Sequence, residues 1–114
     1  IMIAAPNNGG LYNVGSFSNF LVDKNVNLTI DFLELSGNNT FMNFLNENDT
    51  TQNIVSYYTL AGDIDAKGDG LVLSSSVPLE RSKAHKVVSC GHIIIKNPER
   101  CPEGYVFIRE SLLE

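Results

Sequence analysis

No stretch of this sequence approaches the roughly 20 consecutive apolar residues that a helix needs to cross a bilayer, so no transmembrane segment is visible. Lys and Arg are scattered in ones and twos. That leaves no basic stripe of the kind that follows a nucleic-acid backbone, and nucleic acid is not an expected partner. Cysteine is scarce. Cys90 and Cys101 are the only two, fewer than a disulfide-stapled miniprotein usually carries, although one bridge between them is possible. No internal repeat is visible. No signal peptide is visible either, and the first residue is Ile rather than Met, which leaves the compartment open. Three glycosylation sequons begin at Asn27, Asn38 and Asn48. Such triplets arise readily in Asn-rich sequence and carry meaning only in a secreted chain.

What is present is globular. Hydrophobic residues make up 43% of the 114 residues and charged residues 18%. This balance excludes a disordered tail, and the length allows one domain and hardly two. The formal net charge is -5.

Apolar runs outline the architecture. Ile1-Met2-Ile3-Ala4-Ala5, stopped by Pro6, reads as a buried strand, and Asn7-Asn8-Gly9-Gly10 as the turn after it. Residues 11–26 have weak periodicity, with a short helix possible around Ser16–Val22. Leu28 to Leu35 leans towards helix, and Gly37 is placed to stop it. Asn38 or Asn39 could then cap a second short helix with Phe41, Met42, Phe44 and Leu45 on one face. Asn46 to Asn53 is polar and reads as a loop. Residues 54–61, rich in β-branched and aromatic side chains, read as a central strand. Lys86 to Cys90 reads as another, ended by Gly91. Pro102 precedes a closing helix over roughly 103–113. Apolar strands separated by long connections predict an α/β fold with a parallel sheet.

Two loops leave the C-terminal ends of predicted strands, the edge at which open parallel sheets bind ligands. The first is Gly62 to Gly70, with carboxylates at Asp63, Asp65 and Asp69. Asp and Gly are turn residues, so a solvated turn accounts for it without any chemistry. Calcium is a second reading. Asp63, Asp65 and Gly68 fall on positions 1, 3 and 6 of an EF-hand loop, but Lys67 then occupies position 5 and Ser74 position 12, where ligands belong. A third reading is a carboxylate that orients a histidine.

The second loop is Ser89-Cys90-Gly91-His92-Ile93-Ile94. A single His among apolar residues is commonly a hydrogen-bonded core or surface residue. His92, however, directly follows a strand and a glycine, where it can swing over the sheet edge towards a carboxylate of the first loop. The acid would hold one ring N–H and leave the other nitrogen to act as base. Asp69 is the expected partner, with Asp63 or Asp65 as substitutes. His85 precedes its predicted strand and is expected at the opposite end of the sheet. Cys90 and His92 could also suggest a thiol catalyst, but two residues apart at a strand end their side chains should diverge.

At this point the chain resembles a known family. Ile3 to Gly10 is similar to the strand and turn, of the type A-T-P-H-x-G, that follows the nucleophile region in α/β-hydrolase lipases and esterases. Phe32 to Asn46 resembles the L-x-P-G-S-x-F-L-x-x-L-N segment of that group, and Tyr57 to Gly62 its Y-x-I-A-G strand. Asp69-Gly70-Leu71-Val72-Leu73 is similar to D-G-V-V-P, whose aspartate is the triad acid. Gly91-His92, followed by Lys96-Asn97-Pro98-Glu99, resembles the catalytic-histidine segment and the N-P-E start of the last helix. The motifs occur in family order and cover nearly the whole chain, and acid before histidine is the chain order of these hydrolases.

The resemblance implies the C-terminal portion of an α/β-hydrolase parallel sheet with flanking helices. Residues 1–114 would be a partial domain, in which 11–53 is a lid or helical insert and 54–114 carries the acid- and histidine-bearing strands and the final helix. It implies a carboxylic-ester hydrolase of the lipase or esterase kind, acting on an ester or lipid substrate, with Asp69 and His92 as catalytic residues and no cofactor or metal. Phe17, Phe20, Leu21, Phe41 and Met42 are candidates for an acyl-binding wall. Three departures stand out. Asn7 replaces a frequent His, Leu73 a frequent Pro, and no G-x-S-x-G nucleophile elbow occurs anywhere. The resemblance therefore implies a partner: a missing N-terminal half, or a second chain, carrying the serine and the oxyanion hole. Half a sheet would also leave a strand edge open, which invites pairing with another chain. The alternative is a non-catalytic α/β module whose Asp-rich loop is structural or binds a metal. On either reading this chain alone is expected to be inactive as an esterase.

Overall fold

The computed structural model describes residues 1–9, 40–51 and 54–114. The possible helix at Ser16–Val22, the expected helix at 28–35 and most of the supposed lid lie outside them. Three parallel strands form one sheet in the order β1-β2-β3, with β1 at Met2–Ile3, β2 at Tyr58–Gly62 and β3 at Ala84–Val88. Helix α1 (Thr40–Glu47) lies between β1 and β2 in the chain, and α2 (Pro102–Leu113) closes it. The described residues thus form a small α/β unit.

Each strand differs in extent from its sequence reading, for a local reason. β1 ends early because Ala4 takes a left-handed backbone conformation (φ 49°), although its N–H still donates to the Leu60 carbonyl at 2.8 Å. β2 starts late because the N–H groups of Ile54 and Val55 both turn back to the Thr51 carbonyl, at 2.9 and 3.0 Å. These two β-branched residues are left exposed rather than paired. β3 runs two residues earlier than expected. Ala84 and His85 pair with Tyr58 and Thr59, whereas the N–H of Cys90 folds back onto the Val88 carbonyl at 2.9 Å. Helix α1 extends through Asn46 and Glu47, which had been expected in the loop, and Phe44 and Leu45 are exposed. The residues expected to cap it, Asn38 and Asn39, lie outside the described ones.

β2 is the central strand, and all five of its residues are buried. Successive side chains of a strand point to opposite faces. Leu60 accordingly joins a core with Ala4, Val88, Cys90, Ile95 and Cys101, while Ala61 joins a second with Val72 and Val77. A strand buried on both faces is what a parallel sheet requires, and it explains the unbroken apolar run Tyr58-Thr59-Leu60-Ala61. β1 and β3 are the edges of the sheet among the described residues. Inside the turn after β1, Asn7 and Asn8 donate to the carbonyls of Val77 and Pro78 at 2.6 and 2.7 Å, and Asn46 of α1 donates to the Asn7 carbonyl at 2.8 Å. Three segments are tied together through amide side chains, a use of these asparagines that their turn propensity alone did not suggest.

Candidate active site

The acid sits in the loop after β2. The Asp63 N–H extends the ladder to the Val88 carbonyl at 2.9 Å, and the Asp63 carboxylate accepts the Gly68 N–H at 3.0 Å. Between them the chain makes a tight left-handed tip, with Asp65 and Ala66 at φ 54° and 60°. An alanine there costs on the order of 1–2 kcal/mol relative to a right-handed conformation, so the surrounding contacts must hold it. Gly68 (φ 62°) cannot be replaced cheaply, because a Cβ would run into the Val72 carbonyl and lie 2.8 Å from Leu73 Cα. This turn brings Asp69 back over the end of β2.

Asp69 is buried and fully engaged. Its Oδ1 accepts the N–H groups of Leu71 and Val72 at 3.0 and 2.8 Å, and its Oδ2 meets His92 Nδ1 at 2.7 Å. The His92 backbone N–H also donates to the Asp69 carbonyl at 2.9 Å. The Asp69 side chain is 1% exposed and that of His92 38%. A buried carboxylate needs such donors to remain charged. Its bond to Nδ1 fixes the tautomer in which Nδ1 carries the proton and Nε2 offers a lone pair. The His92 side chain is thus partly open to solvent.

Gly62 makes this meeting possible. A Cβ on Gly62 would collide with the Cys90 carbonyl and lie 2.7 Å from Asp69 Cβ. The last residue of β2 is therefore the floor on which the acid loop and the histidine loop converge. A glycine ending a buried strand just before an Asp-rich loop is a sequence signal for such close approach.

The other sequence candidates go elsewhere. Asp63 braces its own loop. Asp65 is exposed at the tip. Among the described residues no group of three or more His, Cys, Asp or Glu side chains could hold a metal ion. His85 lies within β3, not before it as the sequence suggested. It stands towards the N-terminal end of the sheet, with Nδ1 2.7 Å from the hydroxyl of buried Thr59. Cys90 is bonded to Cys101, which leaves no free thiol beside His92 and agrees with the sequence reading that disfavoured a thiol catalyst. Among the described residues no serine or threonine side chain is hydrogen-bonded to His92. The hydroxyl of buried Ser76 is committed to the Leu73 carbonyl at 2.9 Å, and Ser16 lies outside the described residues. A cleft of about 370 Å³ is lined by Met2, Asn7, Asn46, Tyr57 and Arg81 among others, and it includes neither Asp69 nor His92.

No protein-family model matches the chain, and no curated protein or solved structure matches it. A buried carboxylate bonded to Nδ1 of a partly exposed imidazole is an arrangement that can carry out proton transfer to or from a group placed at Nε2.

Proposed function

We propose that this chain supplies the acid and the general base of a serine hydrolase that cleaves carboxylic esters, as the C-terminal portion of an α/β-hydrolase fold of the lipase or esterase kind. The observation that carries this reading is the 2.7 Å contact between Asp69 Oδ2 and His92 Nδ1, made by a buried acid to a half-exposed ring at the C-terminal edge of a parallel sheet. The motifs in family order around both residues support it, and so does the acid-before-histidine order.

In this mechanism Asp69 accepts the hydrogen bond of Nδ1–H, which keeps that proton on the ring, and orients the ring. Nε2 removes the proton of a serine hydroxyl as its oxygen attacks the ester carbonyl carbon. The imidazolium so formed is stabilised by the Asp69 charge, and it returns the proton to the leaving alkoxide. Water then repeats the cycle on the acyl-enzyme, and the serine is regenerated. The serine and the oxyanion hole would come from a polypeptide that carries a G-x-S-x-G elbow. Its strand would pair with β1, which is an edge of the sheet among the described residues.

One observation favours a second reading, the non-catalytic module. Asp69 Oδ1 already binds two N–H groups of its own loop, so the carboxylate could serve folding alone. A serine-directed fluorophosphonate separates the two. In the assembled protein that contains an elbow serine, labelling should be rapid and should fail in His92→Ala. Labelling that is indifferent to His92 would favour the structural role.

A further inference from the structure

The segment that presents His92 meets the rest of the fold at few points: the His92 N–H donates to the Asp69 carbonyl at 2.9 Å, and Ile95 is buried in the core. The segment runs from the end of β3 to the start of α2 as a succession of turns. Its backbone bonds are mostly internal: Ile94 and Ile95 donate to the Gly91 carbonyl, each at 3.0 Å, Asn97 to Ile94 at 2.8 Å, and Cys101 to Asn97 at 2.8 Å. The Asn97 side chain accepts the N–H groups of Glu99 and Arg100, both at 2.9 Å, which tightens the same segment without tying it to anything else. Ile95 anchors its middle in the core. Ile93, next to His92, is 87% exposed, while Ile94 packs against the core.

Both ends of the segment are joined to each other. Cys90, two residues before His92, is bonded to Cys101, the residue before the first turn of α2. Both sulfurs belong to the core cluster that contains Leu60, Val88 and Ile95. The Cys101 side chain also packs against α2, since a Cβ on Gly104 would lie 3.0 Å from its sulfur. The bond closes a short loop, with a sequence separation of 11. Short loops restrict the unfolded chain less than long ones, so the local effect outweighs the global one.

We propose that the Cys90–Cys101 disulfide is a positioning element for His92. It fixes the take-off of the segment from β3 and its landing on α2, and in doing so it holds the imidazole against Asp69. This rests on the reading of Asp69 and His92 as acid and base, and it adds that the pair is assembled only in the oxidised protein. Both cysteines are buried, so a reductant reaches them through local opening.

The test is a long-range proton–nitrogen correlation of the imidazoles in the ¹⁵N-labelled chain at neutral pH. In the oxidised protein His92 should show the tautomer protonated at Nδ1, with slow exchange of that proton. Reduction, or the double variant Cys90→Ala with Cys101→Val, should shift His92 towards the Nε2-protonated form and speed exchange about tenfold or more. His85 and the amides of β2 and β3 should not change, and reoxidation of the reduced protein should restore the first spectrum. An unchanged His92 in the reduced, folded protein would overturn the proposal. So would loss of the sheet amides together with the His92 signature, since the bond would then hold the whole fold rather than the ring. An oxidised protein that lacks the Nδ1-protonated form would instead overturn the acid–base reading itself.

Discussion

The two histidines of this chain occupy the two ends of the same sheet, and they differ in what faces Nδ1. At the C-terminal edge His92 meets a buried carboxylate, and at the N-terminal end His85 meets a buried threonine hydroxyl, both at 2.7 Å. The distances are equal but the chemistry is not. A carboxylate can only accept, so it fixes the His92 tautomer and can stabilise a developing imidazolium. A hydroxyl can donate or accept, so it fixes neither tautomer nor charge. The parallel sheet explains the placement, because at its C-terminal edge the loops after β2 and β3 converge on Gly62, whereas His85 lies within the edge strand itself. The partner at the ring nitrogen, rather than the histidine, marks the site.

The sharpest way to break this comparison is to remove each ring in an assembled protein that supplies the serine. His92→Ala should lower kcat for a short ester by about 10³–10⁴-fold, and Asp69→Asn by a comparable factor. His85→Ala should leave kcat within about twofold, since no step is routed through it. Equal losses at the two histidines would erase the distinction.

A smaller effect concerns the support common to both ends. Leu60 is fully buried in the middle of β2, and Leu60→Ala should cost about 2–5 kcal/mol in urea unfolding. Gly62→Ala tests the C-terminal end alone. It should cost about 1–3 kcal/mol through overpacking, and it should weaken the Asp69–His92 bond, visible in the imidazole spectrum, while His85 stays unchanged.

The smallest expected effect is at the His85 end. There the Tyr58 hydroxyl donates to the Glu114 carboxylate at 2.6 Å, and Lys83 approaches the same oxygen at 3.2 Å. The bond from Tyr58, and then the Lys83 ammonium, hold the Glu114 carboxyl below its usual value. A depressed carboxylate gives stability that is present above its ordinary titration range and is lost as pH falls through the lowered folded value. Wild type should therefore lose a small increment of stability in acid, below pH about 4.5. Tyr58→Phe should diminish that pH dependence, measured by urea titrations at several pH values. An identical acid dependence in both proteins would contradict a role for the Tyr58 bond in holding the Glu114 carboxyl down.

How much of this was legible in the sequence varies by element. The parallel sheet was, because apolar, β-branched segments separated by long connections point to crossovers between parallel strands. So was the placement of Asp69 and His92 at one edge, because each follows the end of a strand. Strand limits were not. Ile54 and Val55 have strand chemistry, yet a turn at Thr51 takes their N–H groups, and propensity cannot see that competition. The tip at Asp65 and Ala66 was also hidden, since alanine is a poor predictor of a left-handed residue. Pairing of Cys90 with Cys101 depends on how the intervening turns fold, which spacing leaves open.

The most direct measurement of the central claim is ester hydrolysis by the chain alone and in combination. On this account the 114-residue protein should not hydrolyse p-nitrophenyl butyrate above the buffer rate, because the proposed base needs a serine and an oxyanion hole from another polypeptide. Joined to the polypeptide that carries a G-x-S-x-G elbow, it should turn the ester over, and His92→Ala should abolish that turnover. Robust hydrolysis by the isolated chain, or an inert assembly with the elbow serine in place, would contradict the account.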